Sequence, residues 1–164
     1  MIEDGFAQSA AQWQNRATLS SPKQAGPFSR QQPAKNARSM KKDLTIMVVE
    51  DYDDTRLLLK KGLEGLGYSV VEACNGQEAV DIADRTRPDL ILMDLDLPIL
   101  DGIAATQCIR QKPELVSVPI VAVTAYPMSY SHVKAFARGC DEYMRKPIDM
   151  TELERIVARF LPTI

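Results

Sequence analysis

PDLILMDLDLPILDG occupies residues 88–102, and the reading of this stretch decides the fold. Pro88 stops whatever precedes it, DLILM (89–93) is apolar after its first residue, and Asp94 ends the run. Pro98 and Asp101-Gly102 then mark a loop. An apolar run this short, unbroken and bounded by turn signals reads as a strand buried on both faces. Such strands belong to parallel sheets covered by helices, so the flanking sequence should alternate strands with one-faced helices.

It does. LTIMVV (44–49) is a first strand ending in Glu50-Asp51. DDTRLLLKKGLEGLG (53–67) follows as a helix, with Leu59, Leu63 and Leu66 at i, i+4, i+7, Asp53 or Asp54 as cap, and Gly65 and Gly67 as the stop. YSVVEA (68–73) is a second strand, and Asn75-Gly76 turns the chain into QEAVDIADRT with Ala79, Ile82 and Ala83 on one face. A helix is expected over about 103–111, a strand at IVAVT (120–124), a helix over about 127–138 closed by Gly139, and a weak strand at DEYMR (141–145). Lys146-Pro147 opens the last helix, striped by Leu153, Ile156, Val157, Phe160 and Leu161. Met47, Met93 and Met144 read as core filler. Five βα units with right-handed crossovers predict a flavodoxin-like, doubly wound, five-stranded parallel sheet, with strand order 2-1-3-4-5 and helices on both faces.

Residues 1–43 differ in character, being rich in Gln, Ser, Ala, Asn and Pro with isolated Phe6, Trp13 and Phe28. They read as a disordered N-terminal tail before a single domain over 44–164. Met40-Lys41-Lys42 has the look of an alternative translation start, which N-terminal sequencing of the native protein would test. The tail carries seven Lys/Arg against three Asp/Glu, about +4, whereas 44–164 carries thirteen against nineteen, about −6. An acidic globular part argues against a nucleic-acid surface. No apolar run reaches the ~20 residues that span a bilayer, and MIEDGFAQSAAQWQNR is no secretory signal. The expected location is the cytoplasm, with no membrane partner. Cys74, Cys108 and Cys140 are far apart without a CxxC, so neither a disulfide framework nor a zinc site is expected, and His132 has no matched ligand set.

Ligands of open α/β sheets bind beyond the carboxyl ends of the strands. The strands expected here end in Glu50-Asp51, Asp94, Thr124 and Lys146. Crowded carboxylates repel one another, and a divalent cation relieves this; all-oxygen ligands favour magnesium. A carboxylate can attack phosphorus, and the three equatorial oxygens of the transferring group need partners, which a cation, the Lys146 ammonium and the Thr124 hydroxyl would supply. Asp94, central in the sheet, is the expected acceptor. Strand-end acids also serve as helix caps, but capping does not explain carboxylates at two strand ends with Thr and Lys at two others.

With VVEDYDDTR (48–56), LILMDLDLPILDG (90–102), VAVTA (121–125) and EYMRKP (142–147) in this order and spacing, the chain resembles the receiver domains of bacterial two-component response regulators over about 44–162. The resemblance implies that Asp94 is the phosphoacceptor, and that Asp51 binds magnesium directly and Glu50 through water. It implies the main-chain carbonyl of Asp96 as a further metal ligand, and Thr124 and Lys146 as holders of the phosphoryl oxygens. It makes Tyr143 the switch aromatic that follows Thr124 inward and Lys146-Pro147 a cis peptide; a half-buried strand aromatic is the plainer reading of Tyr143. Glu50 stands where Asp is commoner. Asp96 and Tyr126 flank the path of attacking water and would set the phosphate lifetime. The implied partners are a sensor histidine kinase or a His-containing phosphotransfer protein, and a downstream protein on the face of the fourth helix, fifth strand and fifth helix, near Tyr130, His132 and Lys134.

With no output domain after Ile164, the expectation is a stand-alone receiver, a phosphoacceptor rather than an enzyme. Two rivals stay open at this point. Asp94-Leu95-Asp96 has the DxD spacing of aspartyl-nucleophile phosphatases, although it follows the third strand and leaves no room for a substrate cap. A binding module that has the fold but no switch is the other, and indifference to beryllofluoride with magnesium would favour it.

Overall fold

The computed structural model describes residues 44–125, 136 and 138–161. Five strands, β1 (Thr45–Val49), β2 (Ser69–Ala73), β3 (Leu90–Asp94), β4 (Ile120–Thr124) and β5 (Glu142–Arg145), form one sheet in the order β2-β1-β3-β4-β5. Every pairing is parallel, with Val49 opposite Met93, Asp94 opposite Val123 and Ala122 opposite Tyr143. The doubly wound topology expected from the alternating pattern is present.

Alternation along the strands divides the apolar residues into two cores. Met47, Ile91, Met93, Ile120, Ala122 and Tyr143 pack on one face, with Ala79 and Ala83 of α2 (Gly76–Thr86) and Ala105 and Ile109 of α3 (Gly102–Arg110). Ile46, Val48, Leu90, Leu92, Val121 and Met144 pack on the other, with Leu59 and Leu63 of α1 (Asp53–Gly65) and Leu153, Ile156 and Val157 of α4 (Met150–Phe160). β1, β3 and β4 are buried on both sides because helices cover both.

Three boundaries correct the expectations. Neither Asp53 nor Asp54 caps α1; the cap is Tyr52, whose extended backbone (φ −85, ψ 113) precedes two acids lying inside the first turn. There they complement the helix dipole. The last helix begins at Met150 rather than at Lys146-Pro147, because the Asp149 side chain accepts the N–H groups of Thr151 and Glu152 and so defines the start. Leu161 stays buried but lies past the end of that helix. A short 3₁₀ turn at Pro113–Leu115 was not foreseen. The helix expected over 127–138, with Tyr126, Tyr130, His132 and Lys134, lies outside the described residues apart from 136 and 138, as does the 1–43 segment. The Lys146-Pro147 bond is cis.

Candidate functional site

Because the strands are parallel, their carboxyl ends meet along one edge. Glu50 follows β1, Asp94 ends β3, Thr124 ends β4 and Lys146 follows β5. Glu50, Asp94 and Thr124 are buried, whereas Asp51 is exposed. The Lys146 ammonium donates to Asp94 Oδ2 at 2.6 Å and pairs with Glu50 Oε2 at 2.8 Å. The other acceptor oxygen, Asp94 Oδ1, takes the Asp96 backbone N–H at 2.9 Å. Glu50 Oε1 takes the Tyr52 N–H at 3.3 Å, and the Thr124 hydroxyl donates to Asp96 Oδ2 at 3.4 Å. Among the described residues no buried side-chain nitrogen or oxygen lacks a partner.

The electrostatics follow from burial and crowding. Glu50 is pushed above the usual carboxylate range, first by burial and then by the nearby Asp94, with Lys146 only partly restoring it. Asp96 is raised by burial and by the same neighbour. Burial alone would lower Lys146, but its bonds to Asp94 and Glu50 outweigh this and hold it above the ordinary lysine value. The site therefore concentrates negative charge around one firmly protonated ammonium.

Glu50, Asp51 and Asp94 each present a carboxylate oxygen, and these oxygens lie within 4.8 Å of one another. Three hard oxygen donors at that spacing fit a magnesium-sized dication. Asp51 also borders, with Tyr52, Asp53 and Asp54, an open acidic cleft of about 400 Å³ beside the cluster. Tyr143 is buried in the α2/α3 core next to Ala122 in register, two residues along the strand from Thr124. The three cysteines are free thiols; Cys74 is exposed and Cys140 buried.

Two supporting features escaped the sequence reading. Arg56 Nη1 donates to the main-chain carbonyl of Glu50 at 2.8 Å. Its place six residues past Glu50, on the sheet-facing side of α1, was the only available signal. Gly102 packs so closely on the end of β3 that a Cβ there would stand 2.0 Å from the Asp94 carbonyl oxygen.

The sequence profile of the response regulator receiver domain matches residues 46–158. The polar-differentiation response regulator DivK of Brucella anthropi is 38% identical over 120 residues, covering 73% of this chain and 92% of its own. The receiver domain of the sensor histidine kinase PA1611 from Pseudomonas aeruginosa, solved with a magnesium ion coordinated in its active-site cleft, is 38% identical with a TM-score of 0.67. That likeness covers 71% of this chain and 96% of the other. A putative response regulator from Chloroflexus aurantiacus is 31% identical with a TM-score of 0.70, over 73% and 98% of the two chains. With the sheet order, the acidic edge and these relatives in agreement, the chain belongs to the response regulator receiver domain family and is a component of two-component phosphorelay signalling.

Proposed function

We propose that Asp94 accepts a phosphoryl group from the histidine of a sensor kinase or His-containing phosphotransfer protein, and that the phosphorylated chain signals by protein contact. The observation that carries this is the meeting of Glu50, Asp51, Asp94 and Lys146 at one strand edge, with both Asp94 oxygens held in place. An Asp94 oxygen forms a bond to phosphorus while the donor's P–N bond breaks and the imidazole leaves, taking up a proton. Lys146, already on Asp94, holds one phosphoryl oxygen, and the Thr124 hydroxyl reorients from Asp96 to hold another. Asp51, Asp94 and the Asp96 carbonyl, with Glu50 through water, would hold magnesium, which would supply charge neutralisation for the phosphoryl oxygens. Hydrolysis by water returns the free Asp94 carboxylate, so the chain carries a signal rather than turning over a metabolite. Asp96, beside the acceptor and exposed, stands where it can influence that water.

Movement of Thr124 toward the phosphate draws the buried Tyr143 with it and reshapes the face that includes β5 and α4. This is a shift between two populations biased by new charge-assisted bonds. The downstream protein reads that face. Kinases that draw on ATP place the reaction in the cytoplasm, and no described helix is long and apolar enough to cross a membrane. Incubation with acetyl phosphate and magnesium followed by intact mass tests the acceptor. One added phosphate, absent in Asp94→Ala, is expected; labelling that survives Asp94→Ala refutes the assignment.

A further inference from the structure

The last ladder pair of β1 and β2 is Val49 with Ala73, and the Glu50 N–H extends it to the Ala73 carbonyl at 3.1 Å. The Glu50 carbonyl then faces α1 rather than a strand. It is met by Arg56, whose guanidinium also pairs with Asp53 Oδ1 at 2.5 Å and lies 3.5 Å from Glu72 Oε1 on β2. The Arg56 side chain is only 17% exposed; its bond to the Glu50 carbonyl is partly buried, whereas its partner Asp53 stands in solvent. Glu72 is held from its other oxygen by Lys60 at 2.5 Å. One side chain thus clamps α1, β2 and the peptide that joins Glu50 to Asp51.

We propose that Arg56 is a positioning residue for the acidic pair. By fixing the Glu50–Asp51 peptide plane it sets where both carboxylates stand relative to Asp94, and so how well the three bind a dication. The inference rests on the reading of Glu50, Asp51 and Asp94 as magnesium ligands. Residues that orient metal ligands typically change affinity by about 10–100-fold when removed.

A purely structural or purely electrostatic Arg56 makes a different prediction. Charge alone would have the opposite sign, because deleting a cation near a dication site strengthens binding of the dication. A brace between α1 and the sheet would lower stability and leave affinity alone.

Magnesium titration of the full chain, followed by amide NMR shifts, separates the three. Arg56→Met, which loses charge and donors at similar length, is expected to weaken magnesium about ten-fold. Arg56→Lys, which retains the charge and a single donating nitrogen, should recover part of that loss. Glu72→Gln cuts the brace to β2 without touching the Glu50 carbonyl; it should lower the melting temperature yet hold magnesium affinity within about two-fold. Arg56→Met binding magnesium as tightly as the parent, or more tightly, overturns the proposal. So does Glu72→Gln weakening it equally. Asp51→Asn is the reference: if it leaves affinity unchanged, the metal assignment itself fails, and this inference with it.

Discussion

Replacing Gly102 with alanine should strike the fold and Asp94, the proposed acceptor, together. The new Cβ would lie 2.0 Å from the Asp94 carbonyl oxygen and 2.9 Å from both the Asp94 carbonyl carbon and the Leu95 Cα. A carbon–oxygen contact settles at about 3.3 Å, so α3 and the end of β3 must separate by about 1.3 Å. The obstacle is backbone, which cannot rotate away, and the Gly102 N–H bond to the Leu95 carbonyl at 3.2 Å is strained by the same movement. Overpacking of this kind costs about 3 kcal/mol, and the better helix propensity of alanine returns about 1 kcal/mol. The net loss of about 2 kcal/mol corresponds to a melting temperature lower by on the order of 5–10 °C. Gly65 gives the opposite sign: it is helical, exposed, and an added Cβ meets nothing within 4 Å. Gly65→Ala should therefore stabilise by about 0.5–1 kcal/mol. Urea denaturation of both variants reads the pair, and acetyl phosphate labelling of Gly102→Ala should slow by about a hundred-fold if Asp94 moves by about 1 Å. A Gly102→Ala protein as stable and as quickly labelled as its parent refutes the reasoning.

Lys146→Met strips the ammonium from two buried carboxylates and should cost about 3–5 kcal/mol at pH 7 in urea melts, with part of the loss recovered as pH falls and Glu50 takes up its proton. Since folding raises Glu50 above its ordinary 4.5, the unfolded chain gives up that proton first. The resulting stability is complete below 4.5 and is lost as pH rises through the raised folded value, so Glu50→Gln should flatten that limb of the stability–pH curve measured in EDTA. Across the same window magnesium affinity should rise with pH, because proton and metal compete for one carboxylate. Burial pushes the Cys140 thiol up to about 11, so Ellman's reagent at pH 8 should modify exposed Cys74 in the native protein and reach Cys140 only as the chain unfolds. Ile99 is 84% exposed at φ 69, a backbone region that a β-branched residue enters at a cost, so Ile99→Gly should gain about 1 kcal/mol in the same melts.

The sheet was legible because its central strands are short unbroken apolar runs bounded by turn signals and alternating with one-faced helices, a combination that marks a parallel sheet covered on both sides. The grouping at the candidate site was legible because a parallel sheet brings every strand end to one edge, so Glu50, Asp94, Thr124 and Lys146 could be gathered from the sequence order alone. The start of α1 was not, since Asp53 and Asp54 satisfy the composition of a cap while Tyr52 has the required extended backbone. The start of α4 could have been read from Asp149, which stands three residues before Glu152 as caps commonly do. Arg56 belongs to another class. Its bond to the Glu50 carbonyl depends on how closely α1 approaches the end of β1, and no periodicity encodes that distance.

The alternation that divides the core has a consequence at the sheet's edge. Asp94 shares the parity of Leu90 and Leu92, on the layer of α1 and α4, whereas Thr124 shares that of Ile120 and Ala122, on the layer of α2, α3 and Tyr143. The two functional groups thus leave the sheet on opposite sides. A ligand bonded to both is a rivet through two separately packed half-cores. On the proposed mechanism, fastening it would tighten Tyr143's layer against its counterpart across the sheet, so a chemical event too small to bend a strand would register as a change in how two layers fit.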